Sequence, residues 1–349
     1  MNNRTTRDST FELIRIVSMF FIVVYHLFLQ EIEPNTSAQI YKAIQIPLHV
    51  GVILFVLLSG YFNIRFKIKG LIVLVATVFV YFVPLNIFSI ISSDDFSMKQ
   101  LVKSVFFISK TPYWFIRTYI FLFLISPVIN YYLKNITWVQ RKWLLAILGI
   151  ISMYMGTLLA DPSVSDGKNI VNFVLIYVLG DTLARYKSVW QKFSRAGLIV
   201  LYLGFNIGIV SAHLLFGNQP MMQTAIWLLC FTYCSPFLVA NGVLLFIILG
   251  QNHIQSKFVN YAASSMFAVY LIHCMPFLYN LVIPDFCRRY ILPYSGNPVI
   301  EISLVLLLGL VVMIFSIVID KALTPLWNII AKAAAKIDTK IDYKAVFKS

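Results

Sequence analysis

Two residues near the start of the chain have types and a spacing that could do chemistry. A long apolar run begins at Phe11 and contains Arg15 near its start and His26 near its end. In an α-helix, eleven residues at 100° each bring His26 to within about 20° of Arg15, with a rise of roughly 16 Å between them. If the run crosses a membrane, one helix face offers a cation at one surface and an imidazole most of the way across. Ionisable groups at that depth are costly and indicate function.

Three further ionisable residues lie in other apolar segments. In the spans predicted below, His49, Arg117 and His273 lie near the outer surface at about the depth of His26, and Trp114 lies beside Arg117. Each has a structural alternative, because membrane histidines often form helix–helix hydrogen bonds and Arg117 could extend to the interface beside Trp114. Since four separate segments bring these side chains to one depth, we expect a shared site.

A second group of charged residues lies at the predicted inner surface. Arg15 faces the short loop that carries Arg65, Lys67 and Lys69, if the first three helices pack as neighbours. Several cations around a concave mouth would suit an anion with several phosphates. The alternatives are ordinary topology charges, and pairing of Arg15 with Glu12 three residues earlier on the same helix.

The composition indicates a polytopic membrane protein. Of the 349 residues, 60% are hydrophobic and only 12% are charged, about half the usual charged share of soluble domains. The net charge of +14 comes from cations at the ends of apolar runs, which is typical of membrane topology and argues against nucleic-acid binding. The four cysteines form neither a Cys-x-x-Cys set nor a disulfide framework, so we expect no metal.

Apolar runs of about 20 residues predict an all-α protein with ten membrane-spanning helices. The eighth contains Pro236 and Gly242 and is expected to be kinked or broken. An even number of spans places both termini on the same side of the membrane. The predicted spans are 11–30, 43–62, 70–91, 112–133, 142–160, 169–184, 197–216, 222–250, 259–281 and 299–320.

The distribution of Lys and Arg predicts the orientation. Most of the 28 cations fall in the segments that are inside if the N-terminus is cytoplasmic, so both termini are predicted to be cytoplasmic. Residues 1–330 form a single predicted transmembrane domain, and 331–349 a short basic cytoplasmic tail. The loop 92–111 either contacts a substrate or is a solvated amphipathic segment.

Four sequence stretches in order along these spans match one family. The first is the Arg-x10-His spacing of Arg15 and His26. The other stretches are VILFVLLSGY at 52–61, YWF at 113–115 with SP at 126–127, and SSMFAVYLIH at 264–273. With these stretches, the chain resembles the acyltransferase family 3 enzymes, which are integral-membrane proteins that acylate, usually acetylate, sugars of bacterial surface polysaccharides and related molecules.

The resemblance implies an acyl-CoA donor, with acetyl-CoA expected, that is approached from the cytoplasm. It also implies an essential histidine in the first helix, His26, and basic residues that hold the donor. Many members carry an Arg-x-x-Arg motif after the second helix. Here the stretch is Arg65-Phe-Lys-Ile-Lys69, which keeps the charge but lacks the second guanidinium fork.

These expectations combine into a hypothesis for catalysis. The CoA phosphates lie at Arg15 and the 65–69 loop, the thioester lies near His26, and a hydroxyl arrives from the outer side. His26 acts as a general base or forms an acyl-imidazole intermediate. The candidates to stabilise the oxyanion are Arg117, His273, Tyr270 and Trp114. The candidates to bind substrate are Arg15, Arg65, Lys67, Lys69, His49, Trp114 and Glu31. Glu31 is near His26 in sequence but not on its helix face.

The competing class is a transporter or flippase in which membrane histidines and arginines line a substrate pathway. Such folds often contain paired broken helices in two related halves, whereas here only the eighth span is interrupted. A non-catalytic sensor is a third class. The expected partners are acyl-CoA, a glycan or lipid-linked sugar acceptor and membrane lipids, without nucleic acid, and the expected location is the bacterial plasma (inner) membrane.

Overall fold

The computed structural model describes residues 8–32, 39–91, 97–99, 102, 113–275, 277–341 and 343, so most of the loop 92–111 lies outside the described residues. Within this part of the chain the regular structure is entirely helical, which confirms the predicted all-α class. The helices are α1 Thr10–Leu27, α2 Gln39–Leu48, α3 Gly51–Tyr61, α4 Ile68–Ile91, α5 Trp114–Asn135, α6 Trp138–Gly149, α7 Ile170–Arg185, α8 Lys187–Trp190, α9 Arg195–Phe216, α10 Pro220–Cys230, α11 Pro236–Gly250, α12 Lys257–Ala263, α13 Met266–His273, α14 Ile283–Tyr290, α15 Pro298–Ala322 and α16 Thr324–Asp338. Phe28–Ile32, Ile150–Leu158 and Leu278–Val282 are π-helical, and Ser165–Gly167 and Leu292–Tyr294 are 3₁₀ turns.

Six helices of the described chain are long and apolar enough to cross a membrane. They are Thr10–Leu27, Gln39–Tyr61, Ile68–Phe88, Trp114–Asn135, Arg195–Phe216 and Pro298–Ala322. A seventh is present if Met266–His273 and Leu278–Tyr294, bent by 58°, form one span. The ten predicted spans, and the orientation of the termini, therefore stay predictions.

The predicted spans that are absent from this count are short or interrupted. The span predicted at 142–160 changes from α- to π-helix after Gly149, and that predicted at 169–184 is a helix of only 16 residues. The eighth is broken as predicted, into α10 and α11. Pro236 begins α11 rather than kinking it, and the preceding Ser235 caps the helix N-terminus.

The helix α3 lies at the centre of the bundle, and glycines allow its close contact with α7. A Cβ atom on Gly60 would lie 2.0 Å from the carbonyl oxygen of Tyr177, and one on Gly180 would lie 2.3 Å from that of Leu57. Membrane helices use small residues in this way, because the backbones can then approach closely. The contact fixes α3, and thereby the turn that carries His49 directly before it.

A buried ion cluster holds α5, α6 and α7 together at the end of the bundle near Arg15. The Asp181 carboxylate accepts hydrogen bonds from Arg141 at 2.5 Å, Arg185 at 3.1 Å and the Asn63 side-chain amide at 3.1 Å. Both arginines also donate to the carbonyl oxygen of Leu133, at 2.9 Å each. Two cations that the sequence analysis assigned only to topology therefore have a structural role.

The C-terminal helix α16 packs along α4. The rings of Trp327 and Tyr81 lie 5.5 Å apart, and the Asp338 carboxylate accepts the backbone N–H of Lys69 at 3.0 Å. The Tyr343 hydroxyl accepts the backbone N–H of Ile68 at 2.8 Å. The predicted boundary after residue 330 lies inside α16.

Candidate active site

The structure brings two of the predicted histidines into direct contact. His26 lies near the end of α1 and His273 is the last residue of α13. His26 Nδ1 lies 2.9 Å from His273 Nε2, and His273 Nδ1 lies 2.8 Å from the carbonyl oxygen of Val269. His273 is buried, whereas His26 is half-buried and lines the narrow space, the vestibule and the small space beside Glu31 that are described below.

The hydrogen bonds define which ring nitrogen of His26 can act as a base. A carbonyl oxygen only accepts, so His273 Nδ1 carries the hydrogen and its Nε2 carries a lone pair. That lone pair accepts from His26 Nδ1, which places the hydrogen of neutral His26 on Nδ1. His26 Nε2 is therefore the unprotonated nitrogen, as a general base requires.

A large cavity of about 910 Å³ opens at the Arg15 end of the bundle. Arg15, Arg65 and Lys187 line it there together with Asp8 and Glu12. The Arg15 guanidinium pairs with the Glu12 carboxylate, as the sequence alternative proposed. The deeper walls are apolar and aromatic, and include Met19, Phe55, Phe115, Tyr119, Phe123 and Phe267.

A narrow space of about 20 Å³ lies between the large cavity and the histidines. It is lined by His26 and His49. Four residues line both this narrow space and the large cavity, which makes them the junction between the two; they are Ile22, Val52, Phe115 and Tyr270.

A third cavity of about 290 Å³, the Lys168 vestibule, lies at the opposite end of α1 from Arg15. It is lined by aromatic side chains together with Lys42, Gln45, Asp166 and Lys168. The residues that it shares with the narrow space are Tyr25, His26, His49, Trp114 and Tyr233. The three cavities therefore adjoin in series through the bundle, with His26 at the narrowest part.

One protein-family model, described as an acyltransferase domain, matches residues 8–321, nearly the whole chain. The chain belongs to acyltransferase family 3. Among curated proteins and among solved structures, nothing matches it. Membership and the apolar helices support a multi-pass membrane acyltransferase in general terms.

Several predicted site residues of this family 3 acyltransferase do meet around His26. His49 is buried, and its ring lies 4.4 Å from that of Tyr233 and 4.6 Å from that of Tyr25. Trp114 lines both the narrow space and the vestibule, and Tyr270 lines the junction. These aromatic side chains come from separate segments of the chain and enclose the space next to His26.

The structure does not bring Arg117 to this site. Its side chain is exposed, and it is not among the described residues that line the three cavities. Phe115 and Tyr119 line the large cavity from one face of α5, and Arg117 is about 200° around the helix from Phe115. The structure therefore gives no support for a role of Arg117 at this site.

The basic loop after α3 also differs from the prediction. All three basic side chains are exposed, but of the three only Arg65 lines the large cavity, whereas Lys67 and Lys69 lie beside Asp338 of α16. Lys187 provides the further cation at the mouth, with its ammonium group 5.5 Å from the ring centre of Phe11. Lys187 is not among the donor-binding candidates of the sequence analysis.

The role of His273 and the position of Glu31 differ from what the helix pattern predicts. Both nitrogens of His273 are engaged, so it holds His26 instead of donating to an oxyanion. Glu31 is buried in the π-helical segment after α1 and borders a small space beside both histidines. The change from α- to π-helix places it there, although an ideal helix would not.

Two site residues had no sequence signal. Tyr233 lies in the break between α10 and α11, where its backbone N–H donates to the Asp166 carbonyl at 2.8 Å. Cys274 follows His273, and its sulfur lies 3.1 Å from His273 Nε2 and 3.7 Å from His26 Nδ1. A proline-bounded break and a lone thiol are too common in sequences to indicate a site.

Proposed function

We propose that this protein is a membrane O-acyltransferase that moves an acyl group from acyl-CoA to a hydroxyl of a sugar acceptor, with His26 as the general base. The observation that carries the proposal is the position of His26, at the narrowest part of a series of cavities through the bundle, with its Nδ1 in contact with His273. The base assignment uses Nε2, the ring nitrogen that this contact leaves available. Family membership supports the acyltransferase class.

The large cavity suits a donor of the acyl-CoA type. Arg15, Arg65 and Lys187 at its mouth offer charge-assisted hydrogen bonds to phosphates. The apolar and aromatic walls suit the thinner uncharged arm that would carry the thioester. Arg15 and His26 are roughly 16 Å apart along α1, so an extended arm would bring the thioester from the mouth towards the junction.

The proposed reaction uses one proton transfer in each direction. His26 Nε2 removes the proton of the acceptor hydroxyl while its oxygen attacks the thioester carbonyl carbon. When the tetrahedral intermediate collapses, the carbon–sulfur bond breaks and His26 returns the proton to the CoA sulfur. His273 accepts from His26 Nδ1 throughout and supports the imidazolium. The Tyr270 hydroxyl and the Trp114 indole N–H are the proposed oxyanion donors.

The dimensions next to His26 favour a small acyl group. The narrow space has a volume of only about 20 Å³, and Val52, Ile22 and Leu48 form its apolar walls. A methyl group fits such a space, whereas a longer chain would require these side chains to move. We therefore propose acetyl-CoA as the donor.

The Lys168 vestibule is the proposed acceptor site. Its aromatic faces, among them Trp227, Phe231 and Tyr233, suit the apolar faces of a sugar ring, and Gln45, Asp166 and Lys168 suit its hydroxyls. The proposed acceptor is a glycan or lipid-linked sugar, which corresponds to the polysaccharide acylation and bacterial inner-membrane location that the family resemblance implies.

The test is acetyl-CoA-dependent acylation by the purified protein, measured as release of free CoA and as label transferred to a glycan acceptor. His26→Ala is expected to lower kcat by about 10²–10⁴-fold, while His253→Ala, at an exposed histidine, leaves it unchanged. Near-normal turnover of His26→Ala would reject the base assignment. A transporter also requires a path through the bundle. Movement of a substrate across the membrane without cleavage of the thioester would therefore favour a transporter.

A further inference from the structure

The thiol of Cys274 lies beside the histidine pair and has no part in the proposed reaction. Its sulfur, His26 Nδ1 and His273 Nε2 lie within 4.8 Å of one another. Cys274 is partly exposed, unlike Cys230, Cys234 and Cys287, which are buried. Two imidazoles and a thiol are the donor set that Zn²⁺ prefers.

We propose that His26, His273 and Cys274 form an inhibitory Zn²⁺ site. The metal would be an inhibitor and not a cofactor, so the reaction itself is expected to run without it. The inference concerns the same histidine as the proposed function and rests on it for the inhibitory consequence, but the metal site itself is defined by the three ligand atoms alone.

The separations of the three atoms are close to those of a tetrahedral site. They are 2.9 Å for the two nitrogens, 3.1 Å from Cys274 Sγ to His273 Nε2, and 3.7 Å from Cys274 Sγ to His26 Nδ1. Tetrahedral zinc ligands at their usual bond lengths are about 3.3–3.6 Å apart. Each separation is within about half an ångström of that range, so small side-chain rotations would be sufficient.

The hydrogen bond from His273 Nδ1 to the carbonyl oxygen of Val269 already prepares one ligand. It fixes the hydrogen on Nδ1 and leaves the Nε2 lone pair directed at the cluster. Metal-binding histidines almost always have such a partner, which sets the tautomer and the ring orientation. Cys274 would bind as the thiolate and release one proton to solvent.

Binding at this site would remove the proposed base. To ligate Zn²⁺ through Nδ1, His26 must move its hydrogen from Nδ1 to Nε2. The nitrogen that accepts the proton of the acceptor hydroxyl would then carry a hydrogen and have no lone pair. The metal therefore inhibits by selecting the wrong tautomer, and not only by occupying space. Of the three ligands, His26 lines the Lys168 vestibule, and His26 and His273 line the small space that also borders Glu31.

The experiment uses the purified full chain after treatment with EDTA, which is expected to remain active. Added Zn²⁺ should inhibit completely and EDTA should restore the rate, whereas Mg²⁺, which prefers oxygen ligands, should have no effect at the same concentration. Cys274→Ser should require at least about tenfold more Zn²⁺ for half-inhibition of its own uninhibited rate. Cys287→Ser, at a buried thiol away from the cluster, should match the wild type.

A spectroscopic measurement tests the site without activity. Co²⁺ bound by a thiolate gives a sulfur-to-metal charge-transfer absorption, expected at one equivalent in the wild type and absent in Cys274→Ser. Equal Zn²⁺ sensitivity of wild type and Cys274→Ser, or an unchanged Co²⁺ band in that variant, would overturn the proposal. A Cys274-dependent band together with a fully active His26→Ala enzyme would instead retain the metal site and reject the assignment of His26 as the base.

Discussion

At the scale of single residues, the chemistry of His26 depends on two hydrogen bonds in series. His273 accepts from His26 Nδ1 and is itself held by the Val269 carbonyl oxygen. This arrangement supplies the orienting group that the amino-acid sequence does not identify. It also separates the roles of the two histidines, since His26 exchanges the proton and His273 positions the ring.

Substitution of His273 should therefore impair turnover and not donor binding. We expect His273→Ala to lower kcat by about 10²-fold, the lower end of a general-base contribution, with little change in the KM for acyl-CoA. His273→Gln should retain more activity, because its amide oxygen can occupy the position of Nε2 and accept from His26. Steady-state kinetics of the two variants measure this, and equal losses in both would contradict the positioning role.

The cations at the mouth should contribute to donor affinity. Lys187→Ala and Arg65→Ala are each expected to raise the KM for acyl-CoA about 10–100-fold, because each removes a charge-assisted hydrogen bond of about 1.5–3 kcal/mol. Lys67→Ala is the matched control, since Lys67 is exposed beside Asp338. An equal effect of Lys67→Ala would mean that general positive charge is sufficient. The Arg15→Ala variant does not isolate the loss of donor affinity, because it also removes the guanidinium that pairs with the buried Glu12 carboxylate.

At the scale of helices, close contacts at glycines hold the elements that carry the site. The helix α3 continues the segment that presents His49, and it packs against α1 as well as α7. A Cβ atom on Gly51 would lie 2.7 Å from the carbonyl oxygen of Ser18 on α1. Larger side chains at these crossings would separate the helices and displace the residues around His26.

Gly180→Ala is expected to destabilise the protein by about 1–3 kcal/mol, the usual cost of overpacking. Its new methyl group would lie 2.3 Å from the Leu57 carbonyl oxygen. Because this oxygen belongs to the backbone of α3, relieving the overlap would require the helix itself to shift. Gly204→Ala on α9 is the matched control, because nothing lies within 4 Å of its Cβ and alanine favours the helix. Thermal unfolding in detergent compares the two; a stable Gly180→Ala protein would contradict the close contact.

The C-terminal segment should stabilise the loop that forms the cavity mouth. The first backbone N–H groups of α4 have no acceptor within the helix. Asp338 accepts the N–H of Lys69, and the Tyr343 hydroxyl accepts the N–H of Ile68. The Lys69 amide and the Tyr343 hydroxyl lower the pKa of the Asp338 carboxyl below its usual value. The carboxylate contact is therefore present at neutral pH and is lost only as the pH falls through that lowered pKa.

We expect Asp338→Ala and Tyr343→Phe to increase amide hydrogen exchange at Ile68 and Lys69 and to raise the KM for acyl-CoA, while kcat is retained. The reason is that the loop carrying Arg65 loses its anchor on α16. Asn328→Ala, at an exposed position of the same helix, serves as the control. Unchanged exchange at Ile68 and Lys69 would show that the start of α4 does not depend on the C-terminal segment.

At the scale of the whole molecule, the three adjoining cavities place the proposed donor and acceptor on opposite sides of His26. Both substrates could then reach one nitrogen without sharing an entrance. Val52 lies at the junction of the large cavity and the narrow space, so it tests the path more directly than residues at either mouth.

Val52→Phe is expected to abolish acyl transfer and retain acyl-CoA binding, because the ring would fill the junction while the mouth stays unchanged. Val52→Ala should instead enlarge the narrow space and increase the rate with propionyl-CoA relative to acetyl-CoA. Donor binding and the ratio of the two rates measure these effects. Normal acetyl transfer by a folded Val52→Phe protein would mean that the thioester reaches His26 by another route.

Helix periodicity and hydropathy were sufficient to predict a substantial part of the site. Both describe positions along a single helix, so they placed Arg15 and His26 on one face of α1 and brought His49, Trp114 and His273 to a common depth. They could not fix the rotation of one helix against another. For that reason Arg117 was assigned to the site although it faces outward, and Lys187 was missed although it lines the mouth.

The amino-acid sequence by itself determined the all-helical class, the family and the residue at the centre of the proposed chemistry, because these follow from composition, order and spacing along the chain. Only the tertiary structure decided which atoms meet. The contact of His26 with His273 joins residues 247 positions apart, and the π-helical turn at Glu31 and the glycine contacts of α3 depend on packing. Interactions between distant segments leave no local pattern, so the tautomer of His26 and the thiol beside it became apparent only in the folded chain.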